Sequence, residues 1–230
     1  MNCYLVEDTD GVTLVDTAFP ATWRLVGHAL EAIGRTERDI RAVVLTHAHF
    51  DHLGMARRAQ REWGVEVWAH GLEQYIARHP YRYAHESSRL RYPVQYPAIL
   101  PLMSDMVAAG ALTVPGIVPD RSILPGEVLD VPGRPHVVFT PGHTYGHCAL
   151  HLPDRDVLFS GDALVTLNPY TAGIGPQVVS GAATADMGLA LLSLDFLAAT
   201  DAEIVLPGHG EPWRLGVRSA AEQARATGAS

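Results

Sequence analysis

The feature that most constrains how this chain folds is a pattern that occurs four times along it. Each time, a short apolar run of the kind that forms a buried strand is followed by a tight turn and then by a potential metal ligand. The runs are residues 42–45, 137–139, 157–159 and 204–206, and the ligands are His47, His143, Asp162 and His209. Side chains just past the carboxyl ends of neighbouring strands converge on one rim of a sheet layer. The pattern therefore predicts a layered α/β protein with one shared metal site.

The first of these places carries the densest cluster of ligand-type side chains, in the sequence THAHFDH at residues 46–52. His47 and His49 are two residues apart, so an extended backbone points both imidazoles in the same direction. Asp51 and His52 point elsewhere, because the chain turns there into a predicted helix. This spacing differs from the helical His-Glu-x-x-His zinc motif, whose histidines lie one turn apart on one helix face. One segment can therefore supply ligands to two neighbouring metal ions.

The complete predicted ligand set has seven side chains, which are His47, His49, Asp51, His52, His143, Asp162 and His209. If Asp162 bridges two ions, each ion has about four ligands before solvent, which suits Zn²⁺ with an open catalytic position. Histidine and carboxylate ligands also suit iron or manganese. The predicted cofactor is therefore a pair of zinc ions, with iron or manganese as alternatives.

The composition excludes several other kinds of chemistry. The chain has 25 acidic and 17 basic residues and a net charge of −8, which argues against binding along a nucleic acid backbone. All the basic residues are arginine, so a lysine Schiff base and the lysine of a phosphate-binding loop are excluded. Cys3 and Cys148 are too few for a disulfide framework, and Cys148 is predicted to pack in the core.

Strand-like and helix-like runs alternate in both halves of the chain. Strands are predicted over residues 3–7, 12–15, 42–45, 65–69, 137–139, 148–152, 157–159 and 204–206, helices over residues 22–33, 53–63, 187–199 and 219–226, and a loop over residues 164–184. No apolar run approaches the ~18 residues that span a bilayer, and the start lacks the features of a signal peptide. A cytoplasmic location is the resulting expectation.

In their order and spacing, the seven ligands resemble the signature of metallo-β-lactamase superfamily hydrolases. That signature is a His-x-His-x-Asp-His segment, a histidine after Pro-Gly, a bridging aspartate after glycine, and a last histidine. The resemblance extends from residue 15 to His209. It implies an αβ/βα sandwich with two central mixed β-sheets flanked by helices. The whole chain, residues 1–230, is predicted as a single metallo-hydrolase domain with an insertion or cap at about 79–116.

Departures from the signature narrow the choice within the superfamily. The di-iron flavoproteins have glutamate where this chain has His49, which argues against that branch. An aspartate at the bridging position, Asp162, is similar to glyoxalase II and acyl-homoserine lactonase enzymes. The Pro-Gly-His-Thr-Pro-Gly-His sequence of those hydrolases occurs here at residues 141–147, with Tyr145 in place of its second proline.

The chemistry that this resemblance implies is hydrolysis of an ester, lactone or thioester of a small molecule by a metal-bound hydroxide. Asp51 is predicted to orient the nucleophile and shuttle its proton as well as to bind metal. Tyr145, or a tyrosine of the 79–116 segment, is predicted to donate a hydrogen bond to the carbonyl oxygen. Asp16 is predicted to orient a ligand imidazole, or else to be an ordinary turn carboxylate, and His147 to support the site.

Several alternatives stay open at this point. The same site suits β-lactamase or phosphodiesterase activity, and a single-iron oxidoreductase of the sulfur dioxygenase type is another use of the fold. The 79–116 segment either covers the metals or forms an oligomer contact or accessory helix pair, and both roles are compatible. Its arginines and tyrosines predict a small substrate with a polar or anionic end. The expected partner is this small molecule, with no nucleic acid and no membrane, and a homo-oligomer is left open.

Overall fold

The computed structural model describes residues 1–228, so residues 229 and 230 of the predicted domain lie outside it. The first half of the chain contains β1 (Tyr4–Asp8), β2 (Gly11–Val15), α1 (Trp23–Ala32), β3 (Ile40–Val44), α2 (Ala56–Glu62), β4 (Glu66–His70), α3 (Gln74–Arg78), α4 (Tyr92–Gln95), α5 (Leu100–Ala108) and β5 (Arg121–Ile123). Strands β1 to β5 form one sheet in sequence order. Its first pair is an antiparallel hairpin, and the other neighbours are parallel.

The second half contains β6 (His136–Phe139), β7 (Cys148–Leu152), β8 (Val157–Gly161), β9 (Val165–Leu167), β10 (Ile174–Gln177), α6 (Met187–Ala198), β11 (Ile204–Pro207) and α7 (Val217–Thr227). Four of these strands form the second sheet, in the order β11-β8-β7-β6. Only β11 and β8 are parallel in this sheet, whereas its other pairs are antiparallel. Strands β9 and β10 form a separate antiparallel pair.

The core consists of three apolar layers: one lies between the two sheets, and one lies on the outer face of each sheet. Between the sheets, Val15 and Val44 of the first sheet pack with Leu150 and Phe159 of the second. The outer face of the first sheet is covered by α1 and α2, and that of the second by α6 and α7. Every residue of β2 is buried for this reason. The predicted αβ/βα sandwich of two mixed sheets flanked by helices is confirmed.

Local predictions agree with the structure in most places and fail in a few. Cys148 is fully buried between the sheets, as predicted. The loop predicted over residues 164–184 is wrong in part, because β9 and β10 pair within it. The predicted helix over 53–63 begins later, at Ala56, because residues 51–55 form turns. Among residues 1–228, no helix has the length and apolar character needed to cross a membrane.

Candidate metal centre

The seven predicted ligands all lie just past the carboxyl ends of four strands. One segment, residues 47–52, follows β3 of the first sheet, while the other ligands follow β6, β8 and β11 of the second. The ligands therefore meet at the rim where the two sheets face each other. None of the seven side chains is in a residue more than 7% exposed. The structure thus brings together the whole set that the sequence predicts.

The ligand atoms form three overlapping groups, and within each group they lie within 4.8 Å of one another. The groups are His47, His49 and His143; His47, His52 and Asp162; and Asp51, His52 and His209. The first and third groups share no member, and the second contains one residue of each together with Asp162. This arrangement suits two neighbouring metal ions with a shared carboxylate between them.

Asp162 contacts histidines of the first and of the third group, which are called the two outer groups below. Its Oδ1 atom lies 3.3 Å from Nε2 of His52, and its Oδ2 atom lies 3.3 Å from Nε2 of His209. The same Oδ2 atom lies 3.6 Å from Nε2 of His143, which belongs to the first group. The backbone N–H of Asp162 donates to Nε2 of His147, which fixes the start of the loop. Asp162 is therefore in the position that a bridging ligand requires.

Unpartnered buried atoms test whether the cluster fits metal ions. A buried polar atom without a partner costs about 1–3 kcal/mol, so several together need an explanation. Five buried atoms of this cluster form no hydrogen bond, although some lie 3.3 Å from one another: Nε2 of His47, His49, His52 and His209, and Oδ1 of Asp162. Imidazole nitrogens and carboxylate oxygens are the donors that zinc, iron and manganese bind. The residues present therefore fit a pair of divalent ions.

The histidines of the first group favour the neutral state that binds metal. Burial, reinforced by the neighbouring histidines, lowers the pKa of His47 and of His49 well below its usual range. Burial likewise lowers the pKa of His143, to about 4, despite the opposing charge of Asp162. A neutral imidazole keeps a lone pair on one nitrogen, so these three side chains are ready to act as ligands near neutral pH.

The other side of the cluster contains buried carboxylates, which favour a bound cation. Burial opposes ionisation of Asp162, but the charges of His209 and His52 outweigh it and hold the carboxyl pKa well below its usual value. Burial also opposes protonation of His52, yet Asp162 and Asp16 raise its pKa well above the usual value. A position where carboxylates favour a proton is also one where they favour a metal cation.

Asp16 connects one histidine of each outer group. Its Oδ2 atom lies 2.9 Å from Nδ1 of His52 and accepts a 2.8 Å hydrogen bond from the hydroxyl of Thr46. The oxygen of that hydroxyl in turn lies 3.1 Å from Nδ1 of His47. With both Nδ1 atoms acting as donors, the Nε2 atoms of His47 and His52 are left for metal. This is the contact with a ligand imidazole that the sequence predicts for Asp16.

Glu73 connects the two ligand-bearing loops and was not predicted from the sequence. Its fully buried carboxylate accepts hydrogen bonds from the backbone N–H of Ala48 at 2.8 Å and from the hydroxyl of Thr144 at 2.7 Å. A third bond comes from the backbone N–H of Gly146 at 3.0 Å. Ala48 lies between His47 and His49, and Thr144 follows His143. Glu73 therefore positions all three histidines of the first group.

Two tyrosines other than Tyr145 lie beside the cluster. The ring of Tyr83 packs on that of His49 at a centroid distance of 3.8 Å, and its hydroxyl lies 3.4 Å from that of Tyr170. Both tyrosines line a cavity that Asp51 also borders. Tyr145, by contrast, is 51% exposed, and no hydrogen bond or ring contact of the described residues involves its side chain.

A family model described as "Metallo-beta-lactamase superfamily" matches residues 2–209. The chain belongs to the metallo-β-lactamase superfamily. This match spans every predicted ligand, and it confirms the resemblance seen in the sequence.

Individual members of the superfamily are similar along most of the chain. "Probable metallo-hydrolase YflN" of Bacillus subtilis is 30% identical, and the alignment covers 92% of this chain and 81% of that protein. "Hydroxyacylglutathione hydrolase GloC" of Haemophilus influenzae is 25% identical, with 94% and 88% covered. Among solved structures, the metallo-beta-lactamase family protein TTHA1429 of Thermus thermophilus aligns with a TM-score of 0.70 and 30% identity over 98% of this chain and 73% of that chain.

Proposed function

We propose that this chain is a dinuclear metal-dependent hydrolase that cleaves the carbonyl group of a small ester, lactone or thioester. The observation that carries the proposal is the position of Asp162 between two complete three-residue ligand groups. His47, His49 and His143 would hold one ion and Asp51, His52 and His209 the other. Zinc is the proposed metal, with iron or manganese as alternatives.

When bound, the two ions would lower the pKa of a water ligand towards neutrality and polarise the carbonyl oxygen of the substrate. Asp51 is the proposed proton carrier, because it borders both the metal cluster and the cavity. Its Oδ2 atom lies 3.2 Å from Nε2 of His209, and the charges of His209 and His52 outweigh burial and lower its pKa. An ionised carboxylate in this position can orient a water molecule and accept its proton.

The Tyr83 and Tyr170 hydroxyls are the proposed donors to the substrate carbonyl oxygen. Two hydroxyls that face each other at 3.4 Å use one proton for their mutual bond, so the other proton is free to be donated. Burial raises the pKa of both phenols, which keeps them protonated. The sequence predicts Tyr145 or a tyrosine of the 79–116 segment for this role; Tyr83 belongs to that segment, and Tyr145 remains the second candidate.

The alternative activities differ in what they need from the site. A single-iron oxidoreductase needs one ligand group, whereas here the third group is as complete as the first. A phosphodiesterase acting on nucleic acid would need positive charge, but the chain has a net charge of −8. We therefore propose a small molecule as the partner, and β-lactams and phosphodiesters as controls.

Metal analysis and a substrate panel test this proposal together. Protein purified without chelator is expected to hold two metal equivalents per chain, and Asp162→Asn is expected to lose both metal and activity. The panel contains aryl esters, thioesters, lactones, β-lactams and phosphodiesters, each measured on protein reloaded with zinc, manganese or iron. One metal equivalent, or turnover confined to β-lactams or phosphodiesters, would contradict the proposal.

A further inference from the structure

A cavity of about 280 Å³ opens beside Asp51, and most of its wall comes from the 79–116 segment. This volume is close to the lower limit of about 300 Å³ that is typical of small-molecule sites. One wall of the cavity consists of Ile99, Met103 and Met106, which lie on α5 and the turn before it. Asp51 and Arg89 are the two charged residues among those that line it.

The α5 side of the cavity is apolar and adaptable. Met103 and Met106 are three residues apart on α5, so they lie on one face of the helix. Unbranched methionine side chains adjust to apolar groups of different lengths. Ile99 is 1% exposed and forms a rigid part of the wall, whereas Met103 is 40% exposed and lies towards solvent.

Arg89 contacts other residues of the protein beside the cavity. Its guanidinium lies 4.0 Å from the centre of the Tyr83 ring. Its Nε atom donates to the carbonyl of Ala182 and its Nη2 atom to that of Tyr83, both at 3.3 Å. These contacts tie the 79–116 segment to the region after β10. Because Nε and Nη2 donate to protein carbonyls, the Nε–Nη2 edge of Arg89 is not available for a two-pronged hydrogen bond to a substrate carboxylate.

We infer that this cavity binds an unbranched apolar acyl chain of the substrate and that Met103 and Met106 determine the chain length the protein accepts. The inference rests on the proposed hydrolase function, since it places the carbonyl group at the Asp51 end of the cavity. It replaces the polar or anionic substrate end expected from the sequence with an apolar one. The reason is that, of the arginines of the 79–116 segment on which that expectation rested, Arg89 is the one that lines the cavity, and its Nε–Nη2 edge is bonded to protein carbonyls.

A series of p-nitrophenyl esters from acetate to decanoate, assayed with zinc-loaded protein, tests this inference. Each buried methylene is expected to raise kcat/KM about fourfold until the cavity is full, after which kcat/KM falls. A flat profile with normal acetate turnover would overturn the inference and leave the proposed function intact. If no ester is cleaved by protein that holds two metal equivalents, the proposed function fails instead.

Two substitutions on α5 test whether the cavity wall at Met106 sets the preferred chain length. Met106→Trp fills part of the cavity and is expected to move the optimum of kcat/KM to a shorter acyl chain. Val107→Trp is the matched control, because Val107 is half exposed on the same helix and does not line the cavity. An identical chain-length profile for Met106→Trp and wild-type protein would contradict the assignment of this wall.

Ligand binding provides a measurement that does not depend on turnover. Hexanoate and adipate both present a carboxylate to the metals, but adipate has a second carboxylate where hexanoate has a methyl group. Hexanoate is expected to raise the unfolding temperature of the metal-loaded protein more than adipate does, and Met106→Trp is expected to remove that difference. Equal or stronger protection by adipate would show that the cavity accepts an anionic end, and would overturn the inference.

Discussion

The Oδ2 atom of Asp16 lies 2.9 Å from Nδ1 of His52, and this contact fixes which nitrogen of His52 faces the metal cluster. Asp16 is 3% exposed and has a left-handed backbone with φ of 56°. Aspartate and asparagine tolerate this conformation better than most residues. The same carboxylate holds Thr46, which contacts His47, so one side chain orients ligands of both outer groups.

Asp16→Asn is expected to weaken metal binding about 10–100-fold, the usual effect of losing a carboxylate that orients a histidine ligand. Asparagine keeps the shape and the left-handed backbone, so the fold is expected to persist. Competition with a chelator of known affinity measures the change. Asp130→Asn is the control, because the Asp130 side chain is 99% exposed and pairs with Arg134 on the surface. Unchanged metal affinity in Asp16→Asn would contradict the proposed role.

That these seven residues come together was predictable from the sequence, because they follow four apolar runs, each ending in a turn. Glu73 was not predictable, because its three donors come from residues 48, 144 and 146, which only the folded sandwich brings together. Strands β9 and β10 were missed because Gly173, Gly175 and Pro176 interrupt the alternation of side chains. The position of Tyr83 beside the cluster was not predictable, because its segment packs against Val165 of β9 and against Val179 and Ala183 after β10, which are distant in sequence.

Glu73→Ala is expected to lower the free energy of unfolding by about 3 kcal/mol or more, because it leaves three buried donors without an acceptor. Glu73→Gln retains one carbonyl oxygen and is expected to cost less. Urea unfolding of the metal-free and metal-loaded proteins measures both. Glu222→Ala, an exposed substitution on α7, is expected to change the free energy little. If Glu73→Ala and Glu222→Ala are equally stable, Glu73 does not hold the two loops together.

Gly208→Ala is expected to reduce metal occupancy, since an added Cβ would overlap Oδ1 of Asp162 and lie 2.9 Å from Cε1 of His52. The carboxylate would have to move away from its central position. Elemental analysis after dialysis against zinc measures the occupancy. Gly27→Ala is a suitable control, because its Cβ would meet only Glu37 at 3.9 Å. Full occupancy in Gly208→Ala would show that Asp162 can shift without losing the ions.

Cys148 is expected to resist alkylation in the native protein. Burial raises the pKa of its thiol to about 12, and burial and Asp16 raise that of Cys3 to about 11. The reactive thiolate is therefore scarce near neutral pH. Mass spectrometry after treatment with iodoacetamide is expected to find both thiols unmodified in native protein and modified in urea. Rapid native labelling of Cys148 would mean that the region between the sheets opens readily.

The final prediction separates Tyr83 from Tyr145 as the donor to the substrate carbonyl oxygen. Tyr83→Phe keeps the ring that packs on His49 and removes only the hydroxyl that faces Tyr170. Loss of one such donor typically lowers kcat by about 10²–10³-fold. Tyr145→Phe, which removes a half-exposed hydroxyl, is expected to change kcat by less than about twofold, as surface substitutions usually do.

Both variants are assayed on the best ester substrate, with metal content and KM measured in parallel. A donor that acts as charge develops on the carbonyl oxygen affects kcat more than KM, whereas a binding contact raises KM and leaves kcat unchanged. A large fall in kcat for Tyr145→Phe with full activity in Tyr83→Phe would assign the role to Tyr145, one of the two possibilities predicted from the sequence. It would also mean that the loop carrying Tyr145 turns inward when substrate binds, because the ring is 51% exposed in the structure.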